Sequence, residues 1–301
     1  MLKIKGIAIL ILLTFFATAP MYLTTYWISL LISIFMYACL GGAWNILAGP
    51  TKYISLGSAA FFGLGAYLTS ILLPQFPHLL LIGIAAGLNF LISFVLGFVA
   101  LRLRGIYFVI LTFALGEFIK GLFLWIEADI VGFVGRYIRS PYAGPEPIYY
   151  LLLLILILVI SVNWWLKNSR FGLALLSIGE GEEKAETLGV NTALYKSYAF
   201  ALSSMFIGAV GATVIVNWLY IHPSIVFNPL YSFNPAIMVL LGGMGTVYGP
   251  IIGAAVLGLL SEYLLTLFPE YYTIILGLSL IFIVLFLPQG IVGALRIRRR
   301  R

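Results

Sequence analysis

The residues that could do chemistry are scarce in this chain, and most of them lie in one polar segment. Charged residues make up only 9% of the sequence, yet residues 167–196 carry Glu182, Glu183 and Glu186 together with lysines and an arginine. A segment of this kind must lie in water. Its carboxylates and amines can pair with one another or with the charges of a partner protein.

The same segment predicts two short helices. Apolar residues from Phe171 to Ile178 indicate the first helix, and Gly-Glu-Gly at 179–181 interrupts it. A second helical stretch runs from about Glu182 to Leu188 and stops at Gly189, a residue type that often ends helices. Two interpretations stay open from these residues alone: a solvated connector, or a plug for the groove of a partner.

Three further charged residues fall in or near apolar runs. Glu117 and Lys120 lie three residues apart on one predicted helical face, where they can pair and so reduce the cost of charge in a bilayer. A role in a transport pathway or a proton relay is the alternative to a structural pair. Glu262 has no obvious partner in the sequence. The single Cys39 excludes a disulfide framework and a CxxC metal site.

Composition places these residues in a helical membrane protein. Apolar residues make up 62% of the chain and the mean hydropathy is +1.12, so the fold class is all-α and polytopic. The ten predicted spans are 6–23, 27–48, 54–73, 79–101, 105–126, 148–166, 197–219, 232–246, 250–268 and 271–287. The first resembles a secretory signal, but Pro20 would follow the cleavage site, so we expect the segment to be retained.

Charge placement predicts the orientation. With the N-terminus inside, nearly every loop lysine and arginine falls on the cytoplasmic side, and only Arg136 and Arg139 fall outside. Both termini and the 167–196 loop are therefore expected in the cytoplasm. We interpret 1–295 as one membrane domain and the basic tail 296–301 as an anchor at anionic headgroups, with no nucleic-acid partner.

Small residues set two predicted segments apart from the others. Residues 54–67 and 241–258 are rich in glycine, and Gly245, Gly249 and Gly253 recur at helical spacing. The glycines that we single out are Gly57, Gly63, Gly65, Gly243, Gly245, Gly249 and Gly253. They indicate either close helix packing or, because the segments are the third and the eighth of ten, two inverted five-span halves around a pathway.

Absent motifs exclude several function classes. The sequence contains no GxxxxGK[ST] phosphate loop, so the chain cannot hydrolyse ATP alone. It also contains no HExxH motif and no cluster of carboxylates within a span. A membrane enzyme or a carrier that couples to ions through several buried carboxylates is therefore disfavoured.

Five collinear stretches match the motifs of one known family, in a region that begins at about Tyr37. They are ISLGSAAFFGLGAYLTS at 54–70, LRGIYFVILTFALGEF at 103–118, SRFGLALLSIGEGEEKAETLGVNTALYKSYAFALS at 169–203, LLGGMGTVYGPIIGAAVL at 240–257 and PQGIVG at 288–293. The family that the chain resembles is the LivM-type permease subunits of ABC importers for branched-chain amino acids.

The resemblance implies an importer in the inner membrane in which two permeases form the path, two cytoplasmic ATPases drive it, and an outside binding protein delivers the solute. ATP is then bound by a partner and this chain needs no cofactor. The 167–196 loop corresponds to the ATPase-coupling loop, with contacts implied at Glu182, Glu183, Ala185, Glu186, Leu188 and Gly189. Urea, amides or another small polar solute are alternative cargoes. A stand-alone carrier or channel and, more remotely, an intramembrane enzyme are the other classes.

Overall fold

A computed structural model of the chain describes residues 14–268, 270–271, 274, 277–278 and 290–293. The helices are α1 (Thr25–Thr51), α2 (Ser58–Leu72), α3 (His78–Ala100), α4 (Ile106–Trp125), α5 (Glu146–Asn168), α6 (Arg170–Glu180), α7 (Glu182–Thr187), α8 (Thr192–Val214), α9 (Pro223–Val226), α10 (Leu230–Gly242) and α11 (Gly249–Leu267). Two short antiparallel strands, β1 (Arg136–Tyr137) and β2 (Tyr220–Ile221), pair with each other.

Within the described residues, seven helical segments are long and apolar enough to cross a membrane, and α2 is a shorter apolar helix. The protein is therefore an all-α polytopic membrane protein. The second to ninth predicted spans each correspond to one of these helices. The first span, 6–23, is described only from residue 14, while most of the tenth span, 271–287, and all of the tail 296–301 lie outside the described residues.

Helices α1 and α8 form the centre of the bundle. In the most apolar stretch of α1, 78% of the residues are buried, and in that of α8, 89% are buried. The corresponding shares for α3 and α4 are only 22% and 17%. Such burial agrees with their sequences, because α8 is rich in Ala, Ser and Gly, and small side chains let neighbouring helices approach closely. The poorly buried α3 and α4 present Leu, Ile and Phe outward, as a surface that faces lipid does.

Two of the apolar helices are short on their own, although α10 follows α9 within one of the seven spanning segments, Pro223–Gly242. Helix α2 has 15 residues and α10 has 13, so at about 1.5 Å per residue each is by itself shorter than the roughly 30 Å hydrocarbon core. Their first turns meet inside the bundle, where the Ala59 N–H donates to Ser232 Oγ at 2.9 Å. Both helices therefore begin within the protein interior.

The non-helical backbone before α2 is satisfied by buried side chains. Trp44 Nε1 donates to the Ser55 carbonyl at 2.7 Å, and the Leu56 N–H donates to Thr112 Oγ1 at 3.0 Å. A backbone without such partners would be costly at this depth, because lipid offers no hydrogen bonds. The chain is therefore non-helical at the start of the predicted span 54–73, and α2 begins at Ser58.

The bundle has two distinct ends. The strand end carries β1 and β2, and there the buried Glu127 binds the guanidinium of Arg136 at 2.9 Å. The α7 end carries α6 and α7, together with the end of α1 and the turn between α3 and α4. Since α1 runs from one end to the other, its first turn lies toward the strand end and its last turn toward the α7 end.

Candidate functional site

The segment from Ser169 to Gly189 forms two helices packed on the α7 end. Ser169 caps α6, since its Oγ accepts the Gly172 N–H at 3.1 Å. A Cβ added at Gly179 would lie 2.1 Å from the Pro50 carbonyl oxygen, so α6 rests directly on the end of α1. Leu175 on the inner face of α6 is fully buried. The first half of the segment is therefore fixed to the bundle.

Glu182, the first residue of α7, lies at the centre of a partly buried ionic cluster. Its carboxylate contacts Lys196 Nζ, accepts the Tyr53 hydroxyl at 2.8 Å and lies 3.1 Å from Arg104 Nε. Lys196 is only 2% exposed, and its ammonium also donates to the Leu101 carbonyl at 2.8 Å. We call Glu182, Lys196, Tyr53 and Arg104 the hub.

The hub balances a buried charge with nearby hydrogen bonds. The three donors of the Lys196 ammonium meet Glu182, the Leu101 carbonyl and, at 3.3 Å, the Tyr53 hydroxyl. Burial alone raises the pKa of Glu182, but hydrogen bonds from Lys196 and Tyr53 and the nearby charge of Arg104 outweigh burial and leave this pKa lowered. Glu182 is therefore a carboxylate that pairs with Lys196.

The hub joins α7 to four separate parts of the chain. Tyr53 follows α1, Leu101 follows α3, Arg104 precedes α4, and Lys196 lies near the start of α8. A displacement of α7 is thus resisted at the ends of four membrane helices. This arrangement can transmit a mechanical change from α7 to the bundle.

The end of α7 is a tight, well-formed stop. Gly189 has a φ of +82° and donates its N–H to the Glu186 carbonyl at 2.9 Å, while the Val190 N–H donates to the Ala185 carbonyl at 3.1 Å. These two bonds define the Schellman motif, in which glycine adopts the left-handed conformation without a Cβ penalty. The predicted stop at Gly189 is confirmed.

The six residues implied in ATPase contact point in different directions. Glu182 and Ala185 face the bundle. Glu186 accepts the Thr192 hydroxyl at 2.9 Å and so holds the next helix start. Glu183 and Leu188 face solvent, and Leu188 is 76% exposed. Leu173 and Leu176 of α6 are also exposed, and we call Leu173, Leu176, Glu183 and Leu188 the exposed α6–α7 face.

The first glycine-rich stretch lies at close helix contacts. Gly57 caps the start of α2. A Cβ added at Gly63 would lie 2.1 Å from the Phe227 ring, and one at Gly65 would lie 2.1 Å from the Gly208 carbonyl oxygen of α8. These positions therefore leave room for α8 and Phe227 to reach α2.

The second glycine-rich stretch is not one continuous helix. Gly243 and Gly245 have φ values of +120° and +74° and lie between α10 and α11, so Gly245 does not share a helix with Gly249 and Gly253 as its spacing predicted. Gly249 and Gly253 both lie in α11, one helical turn apart. Asn45 of α1 holds this loop by accepting the Gly245 N–H at 2.9 Å. Gly253 packs on α10, where an added Cβ would lie 1.8 Å from the Met238 carbonyl oxygen.

The intramembrane pair Glu117–Lys120 is formed on α4, away from the hub. The two side chains contact each other and are 38% and 22% exposed, so neither is buried as Lys196 is. Sequence reasoning identified this pair because its spacing is local. It missed the roles of Lys196, Tyr53 and Arg104. Lys196 and Arg104 stand out only as charges at the edges of apolar runs, and Tyr53 has no charge to mark it.

Comparison with known proteins decides the family. Residues 26–284 match the family described as branched-chain amino acid transport system / permease component. The chain belongs to this family. The permease is thus a membrane component of a transport system and not an enzyme, as the sequence predicted. No solved structure matches it significantly.

Three relatives illustrate the similarity. The high-affinity branched-chain amino acid permease LivM of Salmonella typhimurium is 28% identical over 300 residues, which cover 87% of this chain and 68% of LivM. LivH of Escherichia coli is 29% identical over 140 residues, or 45% of this chain and 44% of LivH. The autoinducer 2 permease LsrC of Yersinia pseudotuberculosis is 30% identical over 140 residues, or 44% of this chain and 40% of LsrC.

Proposed function

We propose that this permease is a membrane subunit of an ABC importer that moves branched-chain or other hydrophobic amino acids across the cytoplasmic membrane. A separate ATPase drives transport, a second permease completes the path, and an extracytoplasmic binding protein delivers the solute. Family membership supports the transport role, and the names of LivM and LivH support the solute. The observation that carries the mechanism is the exposed α6–α7 face backed by the hub.

The exposed face is suited to a protein partner. Leu173, Leu176 and Leu188 present apolar side chains to water at the α7 end, and the exposed Glu183 belongs to α7. Burial of one such leucine in a partner's groove contributes about 1.5–3 kcal/mol. The glutamate adds orientation and specificity more than affinity. We infer that this face binds the ATPase.

The hub then converts movement of the ATPase into movement of the spans. Rigid-body motion passes between domains only through an element held at both sides. On one side α7 and α6 are held by the ATPase, and on the other side Glu182 is held by Tyr53, Arg104 and Lys196, at the ends of three helices. Lys196 in turn donates to the Leu101 carbonyl at the end of a fourth helix. Ala185, a fully buried residue of α7, adds a packing contact to these polar contacts.

The pattern of contacts between helices supports an architecture of two inverted halves with ten spans in all, including 6–23 and 271–287. In the first half, the central α1 packs against α10 and α11 of the second half. In the second half, the central α8 packs against α2 and α3 of the first. Each half also has a short helix after its central one. Inverted repeats produce such reciprocal contacts.

The proposed orientation puts the α7 end and both termini in the cytoplasm. Lys52, Arg102, Arg104, Lys167 and Arg170 lie at this end, which matches the preference of lysine and arginine for cytoplasmic loops. Arg136 and Arg139 lie at the strand end, on the outside. The exposed α6–α7 face then meets an ATPase in the compartment that holds ATP.

A leucine-to-aspartate pair tests the docking face. Leu188→Asp should abolish co-purification of the ATPase and solute-stimulated ATP hydrolysis in reconstituted vesicles, since a buried charge replaces an apolar contact. Leu219→Asp is the matched control, because Leu219 is 80% exposed at the strand end. Equal ATPase recovery and equal transport in both variants would leave α6–α7 as a solvated connector.

A further inference from the structure

A cavity of about 200 Å³ lies between α1, α10 and α11, away from the hub. Its walls are one face of each helix. Leu30, Ser33, Ile34 and Tyr37 line it from α1 at spacings of three and four residues, while Asn234 and Glu262 enter from α10 and α11. This size is below the roughly 300–1,000 Å³ of pockets for drug-sized ligands, so only a small solute fits.

Glu262 gives the cavity its polarity. Its carboxylate accepts the Tyr26 hydroxyl at 2.6 Å, and the hydroxyls of Ser33 and Ser261 also line the space. Within the described residues, no lysine or arginine lines this cavity. A carboxylate in a membrane span is costly, and such residues usually serve a pathway or a ligand. Tyr26 supplies a hydrogen bond but no positive charge, so a cationic group is the partner that this carboxylate favours.

The rest of the cavity is apolar. Ile34, Ile237 and Leu257 line it with aliphatic side chains, and Asn234 donates to the Tyr37 hydroxyl at 3.3 Å within the same lining. An occupant therefore needs a positive group for Glu262, an aliphatic body for these walls and acceptors for the serine hydroxyls. A neutral sugar or an anion lacks this combination.

We propose that this cavity is a transport subsite for an aliphatic α-amino acid, with the α-ammonium on Glu262, the carboxylate on the hydroxyls of Ser33 and Ser261, and the side chain against Ile34, Ile237 and Leu257. The proposal rests on the proposed function and assigns residues to it. Glu262 replaces part of the ammonium's hydration shell, and the aliphatic wall supplies selection by size. Tyr26 holds the carboxylate when no solute is present.

The position of the cavity suits a subsite near the outer entrance. Tyr26 lies in the first turn of α1, toward the strand end, while Tyr37 lies three turns deeper along the same helix. The lining thus extends from the mouth of the bundle toward the first turn of α10. A solute released at the strand end reaches Glu262 before the glycine loop that Asn45 holds.

The first test replaces the carboxylate in the complete importer. Glu262→Gln keeps the acceptor for Tyr26 but loses the charge, so uptake of L-leucine into vesicles should fall at least about tenfold, the lower end expected for one charge-assisted hydrogen bond. Glu262→Asp should restore part of the rate. Glu270→Gln is the matched control, because Glu270 is an exposed residue just beyond α11.

The second test uses the aliphatic wall and does not depend on the charge. Ile237→Phe fills the cavity, so the ratio of L-leucine to L-alanine uptake should fall at least about fivefold while the smaller solute still fits. Unchanged leucine uptake in Glu262→Gln, or an unchanged ratio in Ile237→Phe, would overturn the subsite and leave the importer assignment intact. A parent complex that moves no aliphatic amino acid would instead contradict the proposed function itself.

Discussion

The chain contains two Glu–Lys pairs that have the same chemistry in different surroundings. Glu117 and Lys120 lie one helical turn apart on α4 and are both partly exposed. Glu182 and Lys196 belong to different helices, and Lys196 is buried among Tyr53 and the Leu101 carbonyl. The first pair can form in an isolated helix, while the second exists only in the folded bundle. A buried, non-local pair therefore reports on the position of α7, and a local pair does not.

Breaking the buried pair should have the largest effect. Lys196→Met leaves Glu182 without its main cationic partner in a site of low exposure, and removal of one partner of a buried pair costs about 3–5 kcal/mol. We expect the lower end, because Tyr53 and Arg104 remain. Thermal unfolding in detergent measures the loss, and vesicle uptake measures the accompanying failure of coupling.

A double variant controls for simple loss of volume. Lys196→Met with Glu182→Leu removes both charges, and such replacements are often neutral or stabilising. The double variant should recover much of the stability lost by Lys196→Met alone. If the two variants unfold at the same temperature, Glu182 and Lys196 do not interact in the way the hub requires.

The C-terminal stop of α7 should come second in size. Gly189 has a φ of +82°, and a β-branched residue in the left-handed region costs about 1–2 kcal/mol. Gly189→Val should therefore weaken the hold on α7 and reduce ATPase co-purification. Gly83→Val in α3 is the control, because an added Cβ there meets nothing within 4 Å and its φ is helical. Equal ATPase recovery in the two variants would show that α7 tolerates a different end.

The local pair should matter less. Lys120→Met removes an i, i+3 contact between partly exposed groups, so we expect a loss of about 1 kcal/mol or less. Transport should stay close to that of the parent. A large loss of uptake with unchanged unfolding temperature would mean that Glu117 and Lys120 line the path. Both Glu–Lys pairs would then have a functional role.

Acid should produce the smallest of these effects. The folded-state pKa of Glu182 is lowered, so its contribution to stability is complete above its unfolded pKa of about 4.3 and is lost as pH falls through the folded value. Between about pH 5 and pH 3 the parent should lose more stability than Glu182→Gln does. The unfolding temperatures of the parent and of Glu182→Gln should therefore converge as the pH falls. A constant difference between the two proteins across this range would contradict the charged hub.

Sequence patterns were sufficient to predict a feature of the fold wherever the cause of that feature lies in a few consecutive residues. Helix α7 and its stop at Gly189 follow from capping chemistry that is contained in a few consecutive residues. The long spans follow from the length of their apolar runs. Membership of the family was also accessible, since the quoted motifs carry it.

The remaining features depend on contacts between distant parts of the chain. The late start of α2 at Ser58 depends on Trp44 and Thr112, which satisfy the backbone that precedes it. The inward direction of Glu182 depends on Lys196 and Tyr53, and periodicity cannot indicate which face of a six-residue helix meets the bundle. The loop at Gly245 likewise requires Asn45 from another helix.

Movement of α7 together with the bundle is the claim on which this mechanism depends. Spin labels at Lys184→Cys and Arg102→Cys, both at exposed positions at the α7 end, report the distance between α7 and the turn after α3 in the Cys39→Ala background. In the assembled importer the distance distribution should be the same with and without ATP, because the hub holds the two sites together. In Lys196→Met the distribution should shift or broaden when ATP binds. A clear change of distance on ATP binding with the hub intact would contradict the account, since α7 would then move without the membrane helices.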